Sequence, residues 1–482
     1  MKRFVCGLLL CAACALPAWA EGLPDLGEME RGGLSLTAER RLGEQIMREL
    51  RRDPAYLDDP EIAGYIDKLG QRLASQVEGA RQSFEFFVVR DALLNAFALP
   101  GGFVGVHSGL ILAARNESEL AGVLAHEISH VTQSHLARLF GKQSQAQLAS
   151  LLSLAVAILA ARSNPDVAMG AAMAGQAVGI QQQLNYSRDF EREADRLGLD
   201  LLERAGFDPR GMASFFERML QFGRLYENNA PAYLRTHPLT TERITDIENR
   251  IALKPYKQVP DSLEFGLVRA KLKAWEGTPG EAVAAFTAQL RSGKYAREAE
   301  VRFGLAHALL RDHRLAEAER EVAALRRLGL ESPLTESLAA QLLQKRGDAE
   351  GAARLLAAAR ERYPHERALL YALIEAKVGA GGTARLREAL SLLDTEAQLS
   401  PGDARLHAQK AKILARLGKR LAQHRAQAEA YLAEGDLDRA IEQLELARKA
   451  GDGDFYEASQ VDARLAELKQ RKLEETRRER RF

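Results

Sequence analysis

Residues 116–131, with the sequence NESELAGVLAHEISHV, combine a helix start with a group of chemically reactive side chains. Asn116 followed three residues later by Glu119 forms a capping box, which predicts that a helix begins here. Apolar side chains then recur at helical spacing and supply a stripe for burial, namely Leu120, Val123, Leu124 and Val131. The segment therefore predicts an amphipathic helix with one buried face.

The two histidines of this helix stand four residues apart in the pattern H-E-x-x-H. At about 100° per residue, His126 and His130 point about 40° apart, so both imidazoles can reach one ion. Glu127 lies beside them, where it can take a proton from a water molecule on that ion. The pattern predicts a zinc hydrolase, and a surface helix with two chance histidines is the alternative.

A second acidic segment, residues 188–196, offers the third protein ligand that a catalytic zinc site needs. Glu191 and Asp195 are four residues apart and share one helical face. Glu191 can bind the metal while Asp195 accepts the N–H of a ligand histidine, for which His126 is the first choice. The alternative is a solvated charge run paired with neighbouring arginines. Glu193, about 200° around the helix from Glu191, fits that alternative.

Residues 83–107 carry the one strong β pattern of the chain. Apolar runs at 84–89, 96–99 and 103–106 surround the turn Pro100-Gly101-Gly102, which predicts a small sheet or hairpin. Because an extended peptide can add to a free sheet edge, the first arm of the hairpin is a candidate substrate-binding strand, made of Ala96, Phe97, Ala98 and Leu99. A purely structural hairpin is the alternative.

The composition bounds the class of protein. The chain has 482 residues, 46% of them hydrophobic and 28% charged, with a net charge of +1 at pH 7. These values exclude a disordered chain and a polytopic membrane protein, and no nucleic-acid partner is expected. Lys2, Arg3, an apolar run at 4–15 and Ala18-Trp19-Ala20 predict a signal peptide that is cleaved after Ala20. All three cysteines lie within it, so the exported chain needs no disulfide.

Two later apolar runs, residues 148–161 and 167–180, are too short to span a bilayer, which takes about 20 residues. We expect them to form a buried helical hairpin. The alternative is that they touch a membrane surface, so peripheral membrane contact stays open.

The second half of the chain carries a repeat pattern. Gly347, Ala352 and Ala359 have the same spacing as Gly435, Ala440 and Ala447, which is typical of the second helix of a tetratricopeptide repeat. A generic helical bundle is the alternative. We therefore predict a mainly α protein with a small β-sheet, divided into a domain with the zinc motif (21–252), a linker (253–261) and an α-helical repeat solenoid with a basic C-terminal tail (262–482).

The motifs together resemble a known family. H-E-x-x-H at 126–130, E-x-x-A-D at 191–195 and the segment 95–102 (NAFALPGG) are similar to the gluzincin metallopeptidases related to the CAAX prenyl protease and HtpX. The export signal and the repeats point to the periplasmic branch of that family. The resemblance implies that His126, His130 and Glu191 hold one zinc ion per chain and that Glu127 is general base and general acid.

A further segment, Thr236-His237-Pro238-Leu239 with Arg243, resembles the H-P-x₄-R segment of these peptidases. A cation beyond the open zinc position can stabilise an oxyanion, which is a role for Arg243 or for protonated His237. The resemblance also suggests that His237 occupies the fourth zinc position and keeps the enzyme latent. An ordinary turn at a helix entry is the alternative. His135, about 140° from His130 if one helix continues, and His107, at the end of a strand, are expected to be structural.

The resemblance implies a periplasmic zinc endopeptidase that acts in the quality control and assembly of outer-membrane β-barrel proteins. Unfolded or misassembled barrel proteins would be its substrates, and the repeats would contact the assembly machinery. The rival hypothesis is a periplasmic chaperone or scaffold that works through its repeats, with proteolysis secondary or latent.

Overall fold

The computed structural model describes residues 35–79, 82–140, 188–225, 232–252, 254 and 258–479. The predicted signal peptide at 1–20 and the apolar runs at 148–161 and 167–180 lie outside the described residues. No described helix is long and apolar enough to cross a membrane.

The elements up to residue 252 are, in chain order, α1 (Leu36–Leu50), α2 (Pro60–Ala74), β1 (Glu85–Val89), β2 (Ala96–Leu99), β3 (Phe103–His107), α3 (Ser108–Ala113), α4 (Glu117–Thr132), α5 (His135–Phe140), α6 (Arg188–Arg204), α7 (Arg210–Leu225), α8 (Ala232–Thr236) and α9 (Thr241–Ala252).

The remaining elements are all helices. They are α10 (Leu263–Ala274), α11 (Pro279–Ser292), α12 (Glu298–Arg311), α13 (Leu315–Arg327), α14 (Pro333–Lys345), α15 (Ala349–Arg362), α16 (Arg367–Ala380), α17 (Thr383–Leu399), α18 (Ala404–Arg416), α19 (Arg420–Ala433), α20 (Leu437–Lys449) and α21 (Phe455–Glu479).

The predicted hairpin is confirmed and belongs to a three-stranded sheet in the order β1-β3-β2. β1 and β3 are parallel and β2 and β3 antiparallel, so β2 forms one edge of the described sheet. The turn between β2 and β3 requires glycine, because Gly101 and Gly102 have φ values of 79° and 90°. A Cβ at Gly101 would lie 2.5 Å from the Cα of Arg40, so α1 packs directly on this turn.

The motif helix α4 begins as predicted, since the Asn116 side chain accepts the N–H of Glu119 at 2.9 Å. Every residue from Glu117 to Val131 is buried. Helices α2, α6 and α7 and strand β2 all pack against α4. The alternative of a surface helix is therefore wrong, because this helix is the centre of the first half of the molecule.

The second half is a solenoid of helices packed in chain order, each on the next. The two glycine-alanine patterns mark the helices α15 and α20, as predicted. Gly347 and Gly435 precede these helices with φ values of 87° and 81°, and all four alanines of the two patterns are fully buried. Small side chains at these positions allow close helix packing. The fold class is thereby confirmed as mainly helical, with a small sheet and a repeat solenoid.

One apolar cluster runs across the predicted linker. It contains Tyr65 of α2 and Phe265 of α10, whose rings lie 6.5 Å apart, and continues to Leu342 in the solenoid. The domain limits at 252 and 262 stay a prediction.

Candidate metal centre

Four elements bring the predicted site residues to one buried place. Helix α4 carries His126, Glu127 and His130, while α6 carries Glu191 and Asp195. His237 follows α8, and Arg243 lies in the first turns of α9. All seven side chains are at most 4% exposed. The fold therefore assembles these residues from four segments spread over positions 126 to 243 of the chain.

Four ligand atoms converge in this site. One atom each of His126, His130, Glu191 and His237 lies within 4.8 Å of all the others. The neighbouring pairs of donor atoms are 3.0 to 3.5 Å apart, as measured for His126 Nε2 with His130 Nε2 (3.0 Å), His126 Nε2 with His237 Nδ1 (3.4 Å), His237 Nδ1 with Glu191 Oε1 (3.1 Å) and His130 Nε2 with Glu191 Oε1 (3.5 Å).

These separations suit a small divalent ion. A tetrahedral site with bonds of about 2.0–2.1 Å has ligand atoms about 3.3 Å apart. Three imidazole nitrogens and one carboxylate oxygen are also donors that such an ion accepts. The residues present therefore fit a metal ion held by His126, His130 and Glu191, with His237 as a fourth donor.

Asp195 lies behind the site, as the sequence predicts for a residue that orients a ligand. Its Oδ1 is 3.0 Å from Nδ1 of His126, the ring nitrogen that faces away from the converging atoms. Burial lowers the pKa of His126, but the carboxylates of Asp195 and Glu191 outweigh this and raise it to about 9.

Arg243 holds the two acidic residues of α6. Its Nε and Nη2 donate to the two carboxylate oxygens of Asp195, both at 2.7 Å, and its Nη1 donates to the carbonyl of Pro238. Nη1 also lies 2.7 Å from Glu191 Oε2. Although burial raises the pKa of Glu191, His237 and Arg243 hold it well below its usual range, so this carboxylate stays an anion. The contacts of Arg243 are therefore those of a residue that holds Glu191 and Asp195 in place.

Glu127 differs from the other acids of the site. Neither of its carboxylate oxygens has a hydrogen-bond partner among the described residues, although the side chain is fully buried. The nearest basic nitrogen is Nε2 of His237, at 3.5 Å from Oε1. Burial raises the pKa of Glu127. An orphaned carboxylate of this kind is costly unless a ligand, ion or water satisfies it.

His135 and Glu193 adjoin the site, although the sequence predicts neither of them there. His135 Nδ1 lies 2.8 Å from Nδ1 of His130, and His135 Nε2 lies 3.1 Å from Glu193 Oε2. The angular estimate for His135 was wrong because α4 ends at Thr132 and Ser134 adopts a φ of 49°, so that His135 begins a new helix. No glycine marks this reversal in the sequence.

The candidate substrate-binding residues of β2, Ala96 to Leu99, are buried beside α4. Their backbone lies at an edge of the described sheet. Substrate binding by this strand stays a prediction.

The buried helix, the converging donors and the orphaned acid define a metallopeptidase. Comparison with known proteins identifies the family of this metallopeptidase. Residues 60–251 match the model of peptidase family M48. The chain is 31% identical to the β-barrel assembly-enhancing protease of Escherichia coli K12, over 94% of this chain and 93% of that protein. The chain therefore belongs to peptidase family M48, a family of metallopeptidases.

Two further relatives are similar over part of their length. A putative β-barrel assembly-enhancing protease of Vibrio cholerae is 42% identical over 57% of this chain and 58% of that protein. The mitochondrial metalloendopeptidase OMA1 of Schizosaccharomyces pombe is 29% identical over 47% of this chain and 65% of that protein. The family resemblance inferred from the motifs is thereby confirmed.

Proposed function

We propose that this protein is a zinc endopeptidase of the periplasm that cleaves unfolded or misassembled outer-membrane β-barrel proteins. The observation that carries the proposal is the convergence of four ligand atoms beside the orphaned carboxylate of Glu127. The substrate class is supported by the names of the relatives, two of which are β-barrel assembly-enhancing proteases. The location is supported by the predicted signal peptide.

The residues of the site have separate roles in the proposed reaction. His126, His130 and Glu191 would hold one zinc ion, which polarises a carbonyl and acidifies water when bound. Glu127 accepts the proton of the attacking water on a carboxylate oxygen and delivers it to the leaving amine. Burial suits Glu127 to this task, because it raises the pKa of the carboxyl toward the working pH.

His237 acts as a latch in this proposal. Its Nδ1 lies 3.1 Å from Glu191 Oε1 and 3.4 Å from His126 Nε2, so it competes with substrate for the same place. The ring stacks on Tyr233 at 4.6 Å, and Tyr233 donates its backbone N–H to the carbonyl of Leu94, just before β2. Helix α8 and its histidine would therefore have to move together before an extended substrate could bind beside β2.

The decisive experiment compares the wild type with Glu127→Gln on an unfolded outer-membrane β-barrel protein and on casein. We expect the wild type to cleave both and the variant to cleave neither, while metal analysis finds about one zinc per chain in each. Equal loss of the barrel protein with both enzymes would contradict the peptidase mechanism. Protection of the barrel protein from aggregation by both, without cleavage by either, would instead support the chaperone hypothesis.

A further inference from the structure

His130 contacts His135, and His135 contacts Glu193, in a row that leads away from the converging ligand atoms. Its Nε2 faces His126 and Glu191, and its Nδ1 lies 2.8 Å from Nδ1 of His135. The other nitrogen of His135 lies 3.1 Å from the carboxylate of Glu193. His130 and His135 are both buried, whereas the Glu193 side chain is one-third exposed. The three groups thus form a chain from the site to the surface.

The protons of this chain follow from its geometry. A histidine that offers the lone pair of Nε2 to a cation carries its proton on Nδ1. His130 Nδ1–H then donates to His135 Nδ1, which must be an acceptor and must carry its own proton on Nε2. That N–H donates to Glu193. Each hydrogen bond has one donor and one acceptor in this arrangement, so the carboxylate of Glu193 determines the tautomer of both rings.

The surroundings hold His135 in this orientation. Its ring stacks on Phe190 at 4.5 Å with an angle of 9° between the planes. Arg138 also lies over the ring of Phe190, 4.5 Å from its centre, and its Nη1 donates to Glu193 at 3.1 Å. The imidazole is therefore fixed by a ring face on one side and an ion-paired carboxylate at its end.

We propose that His135 and Glu193 are positioning residues for the metal ligand His130, equivalent in purpose to Asp195 behind His126. Helix α6 then supplies a ligand through Glu191 and orients the two histidines of α4 through Asp195 and Glu193. The inference rests on the proposed zinc function, because it assigns the pair a part in holding that ion. Hydrogen-bonded partners of this kind raise the basicity of a ligand histidine and restrict its ring.

Zinc affinity in chelator competition and the absorption spectrum of the cobalt-substituted protein test the proposal. We expect Glu193→Gln and His135→Leu to weaken zinc binding by about 10–100-fold and to shift the cobalt bands, as changes behind a ligand do. His135→Asn should recover part of the affinity, because its Oδ1 can accept the His130 proton. Asp200→Asn is the matched control, because Asp200 lies exposed on the same helix.

The thermal midpoint of each metal-free protein shows whether a variant binds zinc weakly because the ligand is misplaced or because the protein is unstable. His135 is fully buried, so His135→Leu could fail to fold. In that case the zinc affinity and cobalt spectrum of Glu193→Gln test the proposal. Wild-type zinc affinity and an unchanged cobalt spectrum in Glu193→Gln and His135→Asn would overturn the proposal. A wild type that binds zinc tightly but cleaves no protein would overturn the proposed function and leave the positioning pair standing.

Discussion

At the scale of single residues, the two buried glutamates of the site are set apart by their neighbours. Arg243 and His237 keep Glu191 anionic, whereas Glu127 has no hydrogen-bond partner among the described residues and its pKa is raised by burial. An anion held by a guanidinium suits a ligand, and a buried carboxyl with no hydrogen-bond partner among the described residues suits a group that gains and loses a proton. The same side chain type thus serves two purposes in one site.

Removal of a proposed ligand should remove the metal. We expect His126→Ala, His130→Ala and Glu191→Ala to lose most of the bound zinc, because each takes away one of three protein donors. Asp195→Ala should bind zinc about 10–100-fold more weakly, since it frees the ring of His126 and the guanidinium of Arg243 but removes no ligand. Metal analysis after dialysis against a weak chelator measures both effects. Full zinc retention by Glu191→Ala would exclude it as a ligand.

Substitution of His237 should change activity in a direction that reports its role. As a latch, His237 blocks the position of the substrate carbonyl, so His237→Ala should raise cleavage of casein and self-cleavage while zinc stays near one per chain. An oxyanion donor would behave oppositely, with a loss of about 10²–10³ in rate. Initial rates of the two proteins at equal zinc content distinguish these outcomes, and an unchanged rate would exclude both roles.

At the scale of elements, helix α1 holds the hairpin that contains the candidate substrate strand. Arg40 donates from Nη1 to the carbonyl of Gly101 at 2.9 Å, and its guanidinium lies 4.2 Å above the ring of Phe103. Burial raises the pKa of the neighbouring Glu39 to about 7, although a hydrogen bond from the backbone of Gly101 lowers it. The turn between β2 and β3 is thus held by both residues.

Gly101→Ala should therefore destabilise the protein by more than the energy of the left-handed backbone conformation alone. A left-handed alanine costs about 1–2 kcal/mol, and the new Cβ would also meet the backbone of Arg40 at 2.5 Å. Gly79→Ala is the matched control, since Gly79 has a φ of 64° and no described residue lies within 4 Å of a Cβ placed there. We expect a larger drop in thermal midpoint and in peptidase activity for Gly101→Ala. Equal drops would show that α1 does not constrain the turn.

Helix α12 contains a buried histidine that makes stability depend on pH. Burial, followed by the charge of Lys271, holds the pKa of His307 well below 6.5, and its Nε2 has no hydrogen-bond partner among the described residues. Below about pH 6.5 the unfolded chain binds this proton and the folded chain does not, so the free energy of unfolding falls as pH falls. Asp59 and Glu61 neutralise Lys271 nearby.

His307→Leu should reduce this dependence. We expect the wild type to lose up to about 1.4 kcal/mol per pH unit below pH 6.5 through this residue, and the variant to follow a flatter curve. Urea unfolding at several pH values measures the difference, with His365→Gln as the control because His365 is exposed. Parallel curves for wild type and His307→Leu would show that another group causes the acid sensitivity.

At the scale of the whole molecule, the solenoid is joined to the peptidase half at the start of helix α4. The N–H of Glu117, the first residue of α4, donates to Asp261 at 2.7 Å, and the Glu117 carboxylate accepts both the N–H and the hydroxyl of Ser262. Tyr65 of α2 also donates to this carboxylate. The predicted linker therefore ends in contacts that cap α4 and α10 reciprocally.

The ion pairs between the halves should differ in strength with their burial. Lys271 of α10 is 3% exposed and contacts Asp59 and Glu61, at 2.8 and 2.6 Å. Lys271→Met leaves these acids without their cation and should cost about 3–5 kcal/mol. Lys68→Met removes a half-exposed lysine from Glu264 and Glu366 and should cost at most about 1 kcal/mol. Urea midpoints measure both, and similar shifts would contradict a buried anchor.

The sequence by itself determined what depends on short spacing. His126, Glu127 and His130 follow from one helical turn, Glu191 and Asp195 from another, and the hairpin turn from its proline and glycines. Local rules suffice in these cases, because residues within one turn keep a fixed geometry wherever the element packs.

Only the tertiary structure decided which segments meet. The left-handed Ser134 ends α4 without a glycine, which brings His135 back onto His130 and places Glu193 beside it. The position of His237 against Glu191 depends likewise on the packing of α8, where the backbone N–H of Tyr233 donates to the distant Leu94. Contacts between separate elements are set by the sum of many weak packing interactions rather than by any local pattern, so they become visible only when the whole chain is folded.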